Sequence, residues 1–238
     1  MSFLAAFINL LYPPACLLCE RPSSAERTVC RRCEGTLPAT LAPVCRRCGA
    51  ELRGAFDARL DCSTCRKVPR AFELARAPWR YIGPAQLAIR RFKYHRHWRL
   101  GPWLADGMAQ TARESLPLEE ISVVVPVPLH GLKRWFKGSN SAEDLARPIA
   151  RSLGKPCRPR ALARTRWTAT QTRLSWQERS RNVREAFTAF PRDVGDQTVL
   201  LVDDVLTSGA TASACTLALK HSGARAVYVL TAARTPLG

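Results

Sequence analysis

Acidic residues are scarce in this chain. Its 238 residues carry 19 Asp and Glu against 37 Lys and Arg, a formal charge of +18. The deficit is sharpest between Arg151 and Arg184, where ten basic residues face the single acid Glu178. Such a field draws polyanions, either a pyrophosphate-bearing small molecule or nucleic acid. Long apolar runs are also missing: none approaches the ~20 residues that a membrane-spanning helix needs. Residues Met1–Leu11 are apolar but lack a basic leader and a small-residue cleavage site, which argues against an export signal. They read instead as a short amphipathic helix ended by Pro13-Pro14, and the expected location is cytoplasmic. A P-loop is absent too. The sole Gly-Lys pair, Gly154-Lys155, is followed by Pro156 and has no upstream glycine at the required spacing, so ATPase chemistry is disfavoured.

Cysteine, in contrast, is abundant. Eight of the ten cysteines form four Cys-x-x-Cys pairs: Cys16/Cys19, Cys30/Cys33, Cys45/Cys48 and Cys62/Cys65. That spacing lets two thiolates of one tight turn face a single tetrahedral ion, with sulfur about 2.3 Å from zinc. Two pairs close one site, so four pairs predict two structural Zn2+ sites with no open coordination position. Sequential pairing needs the shortest loops; interleaving is the other arrangement. A disulfide framework would require secretion, and redox catalysis would need one such motif on a helix. Arg31, Arg32, Arg46, Arg47 and Arg66 lie between or beside the knuckles and suit a nucleic-acid-binding ribbon. Cys157 and Cys215 stand alone and read as core positions.

The apolar run Val199–Val202 continues into two adjacent acids, Asp203 and Asp204, then into Thr207, Ser208, Gly209, Ala210 and Thr211. A continuous apolar strand implies a parallel sheet covered on both faces. Carboxylates at its end accept hydrogen bonds from vicinal ribose hydroxyls or sit near Mg2+. A hydroxyl- and glycine-bearing turn that opens a helix suits a phosphate, because free N–H groups and the helix dipole both favour an anion.

The remaining order supports an α/β fold. The zinc module runs to about Pro69. Residues 79–116 read as a helical hood, divided at Gly101-Pro102, with the second helix starting at Pro102. Ile121–Val125 reads as a strand, Ser141–Leu153 as a helix, Thr198–Val202 as a strand, Ala210–His221 as a helix and Ala226–Leu230 as a closing strand. The expected division is therefore 1–69 and 70–238. In the basic stretch Arg90–His97, the two histidines read as exposed helix residues.

The run from Val199 to Thr211 resembles the phosphoribosyl-pyrophosphate (PRPP) motif of type I phosphoribosyltransferases. Carried over by position, Asp203 and Asp204 contact the ribose hydroxyls, and Thr207, Ser208, Gly209, Ala210 and Thr211 wrap the 5′-phosphate. With Val125–His130, the basic loop Lys133, Arg134 and Lys137, and the cysteine module, the whole chain resembles the ComF family. Arg164–Thr172, Glu178-Arg179 and Asn182-Val183 extend that likeness. The resemblance implies a double zinc ribbon followed by a type I phosphoribosyltransferase-like domain, with links to DNA uptake. It also implies a loop in which Lys133, Arg134 and Lys137 receive pyrophosphate. One departure is visible: Lys137-Gly138-Ser139-Asn140-Ser141 stands where the family usually has Arg-Gly-Phe-Asn-Gln.

The function so implied is Mg2+-dependent PRPP binding with phosphoribosyl transfer. A non-catalytic accessory of DNA uptake that binds single-stranded DNA is the alternative, with Trp167 and Trp176 as stacking residues. The partners expected are PRPP, single-stranded DNA and proteins of the uptake machinery.

Overall fold

The apolar runs named above become the middle of a parallel sheet. The structure, a computed structural model, describes residues 14–24, 26–52, 61–94, 97–129, 140–165 and 186–237. In chain order the elements are α1 (Arg31–Gly35), α2 (Ser63–Lys67), β1 (Ala75–Arg76), β2 (Trp79–Arg80), α3 (Gly83–Tyr94) and α4 (Leu100–Ser115). Then come β3 (Val123–Pro126), α5 (Ser141–Ser152), β4 (Leu162–Arg164), β5 (Phe187–Ala189), α6 (Pro191–Val194), β6 (Thr198–Leu206), α7 (Ala210–His221) and β7 (Ala226–Arg234). The expected N-terminal helix and Trp167 and Trp176 lie outside the described residues.

Strands β3, β6 and β7 lie side by side, and β1 and β2 both pair with the outer edge of β7; every pairing in this sheet is parallel. Alternate side chains of a strand point to opposite faces, and both faces of this sheet are covered. On one side Leu200, Val202, Tyr228 and Leu230 pack with Ile89 and Phe92 of α3, Leu104 and Met108 of α4, and Leu145 and Ile149 of α5. On the other, Val199, Leu201, Val227 and Val229 meet Phe72, Phe187 and the Cys215 and Leu219 face of α7. Double coverage explains why β6 reads as an unbroken apolar run. Cys215 is fully buried, as expected for a core cysteine, while Cys157 is only partly buried.

Several boundaries differ from the sequence reading; β7, expected to end at Leu230, runs to Arg234. β6 runs on to Leu206, because Asp203↔Thr231 and Val205↔Ala233 continue its ladder with β7. The acid pair therefore lies inside the strand rather than after it. Trp79–Arg80 is strand, held by Trp79↔Ala233 and by an antiparallel bridge to Ala39. α4 starts at Leu100, so Pro102 sits in its first turn, where a missing N–H costs nothing. His97 lies between α3 and α4, partly buried, rather than exposed on a helix; His95 lies outside the described residues.

The first cysteine cluster joins the main core through Cys16, Leu18 and Val29. Two polar clamps fix it to the helical hood. Arg91 donates to the Leu17 carbonyl and the Glu20 carboxylate, both at 2.6 Å, and Trp103 Nε1 donates to Glu34 at 3.2 Å. Trp103 also stacks on Trp79, with centroids 5.5 Å apart and planes 10° apart. Gly107 makes room for that stack, since a Cβ there would stand 2.5 Å from the Trp79 ring.

Candidate functional site

The carboxyl end of β6 gathers the groups that the sequence singled out. Asp203 and Asp204 are consecutive strand residues, so they diverge to opposite sides. Asp204 is 6% exposed. Its Oδ2 lies 2.5 Å from Lys93 Nζ and accepts from Ser141 Oγ at 3.0 Å. Asp203 is half-buried, and its Oδ1 accepts from the Asp204 N–H at 2.8 Å. Burial, reinforced by the neighbouring Asp204 charge, pushes the Asp203 carboxyl up to about 7; the Asp204 N–H and Lys93 oppose that rise. Burial alone would lower Lys93, but the Asp204 and Asp203 carboxylates outweigh it and raise its pKa.

Ser141 reaches Asp204 because of how α5 begins. Asn140, at its N-cap, accepts from the Ala142 N–H at 3.2 Å and donates to the Val127 carbonyl just past β3 at 3.0 Å. One side chain thus fixes the start of α5 to the end of β3. At the site of the departure from the usual family sequence, Ser141 serves the acid pair directly.

Beyond Leu206 the chain turns into α7. Thr207 and Ser208 are exposed, and Gly209 takes φ +76°, a conformation that costs other L-residues about 1–2 kcal/mol. Ser208 Oγ accepts from the Ala210 N–H at 3.4 Å. Ala210 and Thr211 are exposed in the first turn of α7. N–H groups of that turn have no intrahelical partner and can face an anion. Asp203, Asp204 and the stretch Thr207–Thr211 are therefore brought together at one sheet end. Lys133, Arg134 and Lys137 lie outside the described residues.

Lys93, Ser141, Arg70 and Arg234 also stand at this end, and the sequence reading assigned none of them. For Lys93 a signal existed: α3 buries Ala85, Ala88, Ile89 and Phe92, and Lys93 lies one turn beyond Ile89 on the edge of that face. A lysine flanking a buried stripe points to a buried partner.

The eight paired cysteines form two clusters, Cys16, Cys19, Cys30 and Cys33, and Cys45, Cys48, Cys62 and Cys65, with all sulfurs of a cluster within 4.8 Å of one another. Pairing is thus sequential. Tetrahedral sulfurs about 2.3 Å from zinc lie about 3.8 Å apart; Cys19 to Cys30 measures 3.8 Å and Cys48 to Cys62 measures 3.7 Å. Backbone N–H groups support the thiolate state. Cys30 and Leu18 donate to Cys16 Sγ at 3.3 and 3.4 Å, and Cys62 and Cys48 donate to Cys45 Sγ at 3.3 and 3.5 Å. In the second cluster the Cys48 side chain and these amides lower Cys45 to about 4, against burial. The two clusters fit two structural Zn2+ ions, each with four sulfur ligands.

Residues 7–67 match the family model of the double zinc ribbon domain. A DNA utilization protein, YhgH, of Salmonella typhimurium is 30% identical over 230 residues, covering 95% of this chain and 99% of that protein. The chain belongs to the ComF family. Competence protein F of Haemophilus influenzae is 27% identical over 215 residues, 88% of this chain and 92% of the relative. The likeness of this ComF chain to an amidophosphoribosyltransferase of Escherichia coli is more local: 31% over 115 residues, 48% of the chain and 20% of that enzyme. Among solved structures, the glutamine PRPP amidotransferase of B. subtilis aligns over 59% of the chain and 30% of its own length, at 23% identity and a TM-score of 0.42. Among the described residues no helix is long and apolar enough to cross a membrane.

Proposed function

We propose that this ComF chain binds PRPP at the carboxyl end of β6 and transfers its phosphoribosyl group. One observation carries the reading: an acid pair near the end of an apolar parallel strand, Asp204 buried and Asp203 half-buried, leads into a Gly209-centred turn at the N-terminus of α7. Ligands of open α/β sheets sit at strand carboxyl ends. The local likeness to an amidophosphoribosyltransferase supports the same chemistry. In this reading residues 1–69 are a zinc-ribbon module and residues 70–238 a phosphoribosyltransferase-like domain.

Each group then has a task. The turn Thr207–Thr211 holds the 5′-phosphate through N–H and hydroxyl donors. Asp203 and Asp204 accept from the ribose hydroxyls and fix the orientation of C1. Asp204 is steadied by Lys93 and Ser141, so its carboxylate presents one geometry. Lys133, Arg134 and Lys137 receive the pyrophosphate as the C1–O bond breaks and its electron pair leaves with that oxygen. The lone pair of a nitrogen acceptor then closes the new bond to C1. The acid pair alone offers too few oxygens to enclose a cation, which fits Mg2+ held through one or two carboxylates and the ligand's own phosphates, where it would offset the leaving charge.

Calorimetric titration with PRPP and Mg2+ tests the reading, with Asp203→Asn/Asp204→Asn as the control. Binding by the natural chain, weakened at least tenfold in the double variant, is expected. Equal binding by both proteins, or none by either, would remove the assignment.

A second reading, a single-stranded DNA-binding accessory, is favoured by one surface. Tyr94 and Trp98 are 60% and 73% exposed, beside exposed Arg90 and Arg99. Arg90 also lines an open groove of about 570 Å3 with Glu20, Gly83, Gln86, Leu87, Arg91 and His97. The relatives' names, DNA utilization protein and competence protein, are in keeping with such a surface.

A further inference from the structure

The stretch Thr207–Thr211 has no charged side chain of its own, yet two guanidiniums stand behind it. Both also reach the second cysteine cluster. Arg234, the last residue of β7, is 5% exposed. Its Nη2 donates to Cys48 Sγ at 3.1 Å, while Nη1 donates to the Thr207 carbonyl at 3.0 Å and the Leu206 carbonyl at 3.4 Å. Arg70 comes shortly after Cys65 in the chain. Its positive guanidinium favours the Cys65 thiolate and opposes the rise that burial imposes there. On its other side, Arg70 Nη1 lies 3.4 Å from where a Cβ on Gly209 would stand. Arg70 Nε is buried with no hydrogen-bond partner among the described residues.

The geometry has a direct consequence for the turn. A trans peptide is planar, so a carbonyl and the following N–H point in opposite directions. Arg234 fixes the Leu206 and Thr207 carbonyls inward, which aims the Thr207 and Ser208 N–H groups outward, where an anion would lie. Four thiolates around a divalent ion leave a net negative site. The two arginines answer that charge and hold the turn at the same time. Among the described residues the first cluster has no such bridge; its polar clamps, Arg91 and Trp103, belong to the hood.

We propose that the second cysteine cluster and the phosphate turn are one coupled unit, with Arg234 and Arg70 as the positioning residues that transmit zinc loading of that cluster to 5′-phosphate affinity. This rests on the PRPP reading and extends it to the ribbon. Coupling between two binding events is reciprocal, so a phosphorylated ribose must retard zinc loss from the second cluster and leave the first unchanged.

The test uses the full chain loaded with two zinc ions. Ribose 5-phosphate binding is first measured by calorimetry. A zinc-selective chelator is then added with and without saturating ribose 5-phosphate, and cysteine alkylation is followed by peptide mass spectrometry. The expected result is at least threefold slower labelling of Cys45, Cys48, Cys62 and Cys65 with ligand, and no change at Cys16, Cys19, Cys30 and Cys33. In Arg70→Gln, and in Arg234→Lys, which keeps the charge but not the fork, the protection should shrink while both zinc ions remain. Ribose 5-phosphate binding without selective protection would overturn the coupling and leave the PRPP reading intact. Failure to bind either ribose 5-phosphate or PRPP would overturn both. Should either variant fold poorly, the comparison on the natural chain still decides.

Discussion

Lys93, at the end of α3, forms an ion pair of 2.5 Å with Asp204 in β6. It joins the helical hood to the end of the sheet, because the Asp204 side chain is 8% exposed and that of Lys93 only 26%. Removing one partner of such a pair leaves a charge without compensation. The penalty for a fully buried pair is about 3–5 kcal/mol, and the partial exposure of Lys93 reduces this to about 1–3 kcal/mol. Lys93→Met should therefore lower stability in urea denaturation by that amount. Lys93→Met/Asp204→Asn should recover most of it, since no unpaired charge remains. Equal losses in the single and double variants would mean that the lysine contributes packing alone.

Asp203 makes a separate prediction in pH. Its carboxyl is raised from 3.8 to about 7 by burial and by the Asp204 charge. A group whose folded-state pKa lies above its unfolded value contributes stability that is complete below the unfolded value and lost as pH rises through the folded one. Stability tied to Asp203 should thus fall between about pH 4 and pH 7. Asp203→Asn has no charge to desolvate. Its melting temperature should exceed that of the natural chain at pH 8, and the gap should narrow towards pH 5. A gap that is constant across this range would show that Asp203 ionises normally.

The two zinc clusters should respond differently to loss of a ligand. Cys45→Ser removes a fully buried thiolate from the second cluster, whose Cys48 sulfur anchors Arg234. Cys33→Ser touches a partly exposed thiolate in the first. Each variant should bind one zinc ion per chain instead of two, measured by atomic spectroscopy, because site formation and local folding are linked. Only Cys45→Ser should also weaken ribose 5-phosphate binding. Full zinc content in either variant would argue against four-sulfur coordination.

On the hood surface, Trp98 offers a face for an unpaired base. Trp98→Ala should weaken single-stranded DNA binding by ~1–3 kcal/mol if the ring stacks on a base. Affinity for the natural chain should fall steeply between low and moderate salt, as phosphate contacts require. The readout is fluorescence anisotropy of a labelled oligonucleotide. Salt-independent affinity, or no binding at low salt, would dispose of the second reading and leave PRPP binding untouched.

The zinc ligands were legible in the sequence because four Cys-x-x-Cys knuckles supply the sulfurs of two closed sites, but which pairs share an ion was open between sequential and interleaved until the folded chain grouped them. The acid pair and its turn were legible because strand, carboxylates, glycine and helix are contiguous. What the sequence did not disclose comes from afar. Lys93, Ser141, Arg70 and Arg234 converge on the end of β6 from separate elements, and only the paired sheet brings them together. The strand boundaries failed for a related reason. Two aspartates look like the end of a strand by propensity, yet the ladder from Asp203↔Thr231 to Leu206↔Arg234 carries the backbone past them. Trp79 reads as part of a helical stretch until its pairing with β7 and its stack on Trp103 are seen.

Gly209 offers the sharpest separation between folding and binding. At φ +76° an alanine pays about 1–2 kcal/mol of backbone strain, and its methyl would sit 3.4 Å from Arg70 Nη1. That contact is close but not prohibitive, since a guanidinium can swing a few tenths of an ångström. Gly209→Ala should therefore fold, with a midpoint loss in urea matching the strain and both zinc ions retained. Any adjustment displaces either the turn, which holds the 5′-phosphate in the proposed complex, or Arg70, which backs the turn. Binding of ribose 5-phosphate should weaken by more than the tenfold that about 1.4 kcal/mol represents, whereas single-stranded DNA affinity at the hood should not change. Undiminished ribose 5-phosphate binding in a variant that shows the strain penalty would place the phosphate away from this turn.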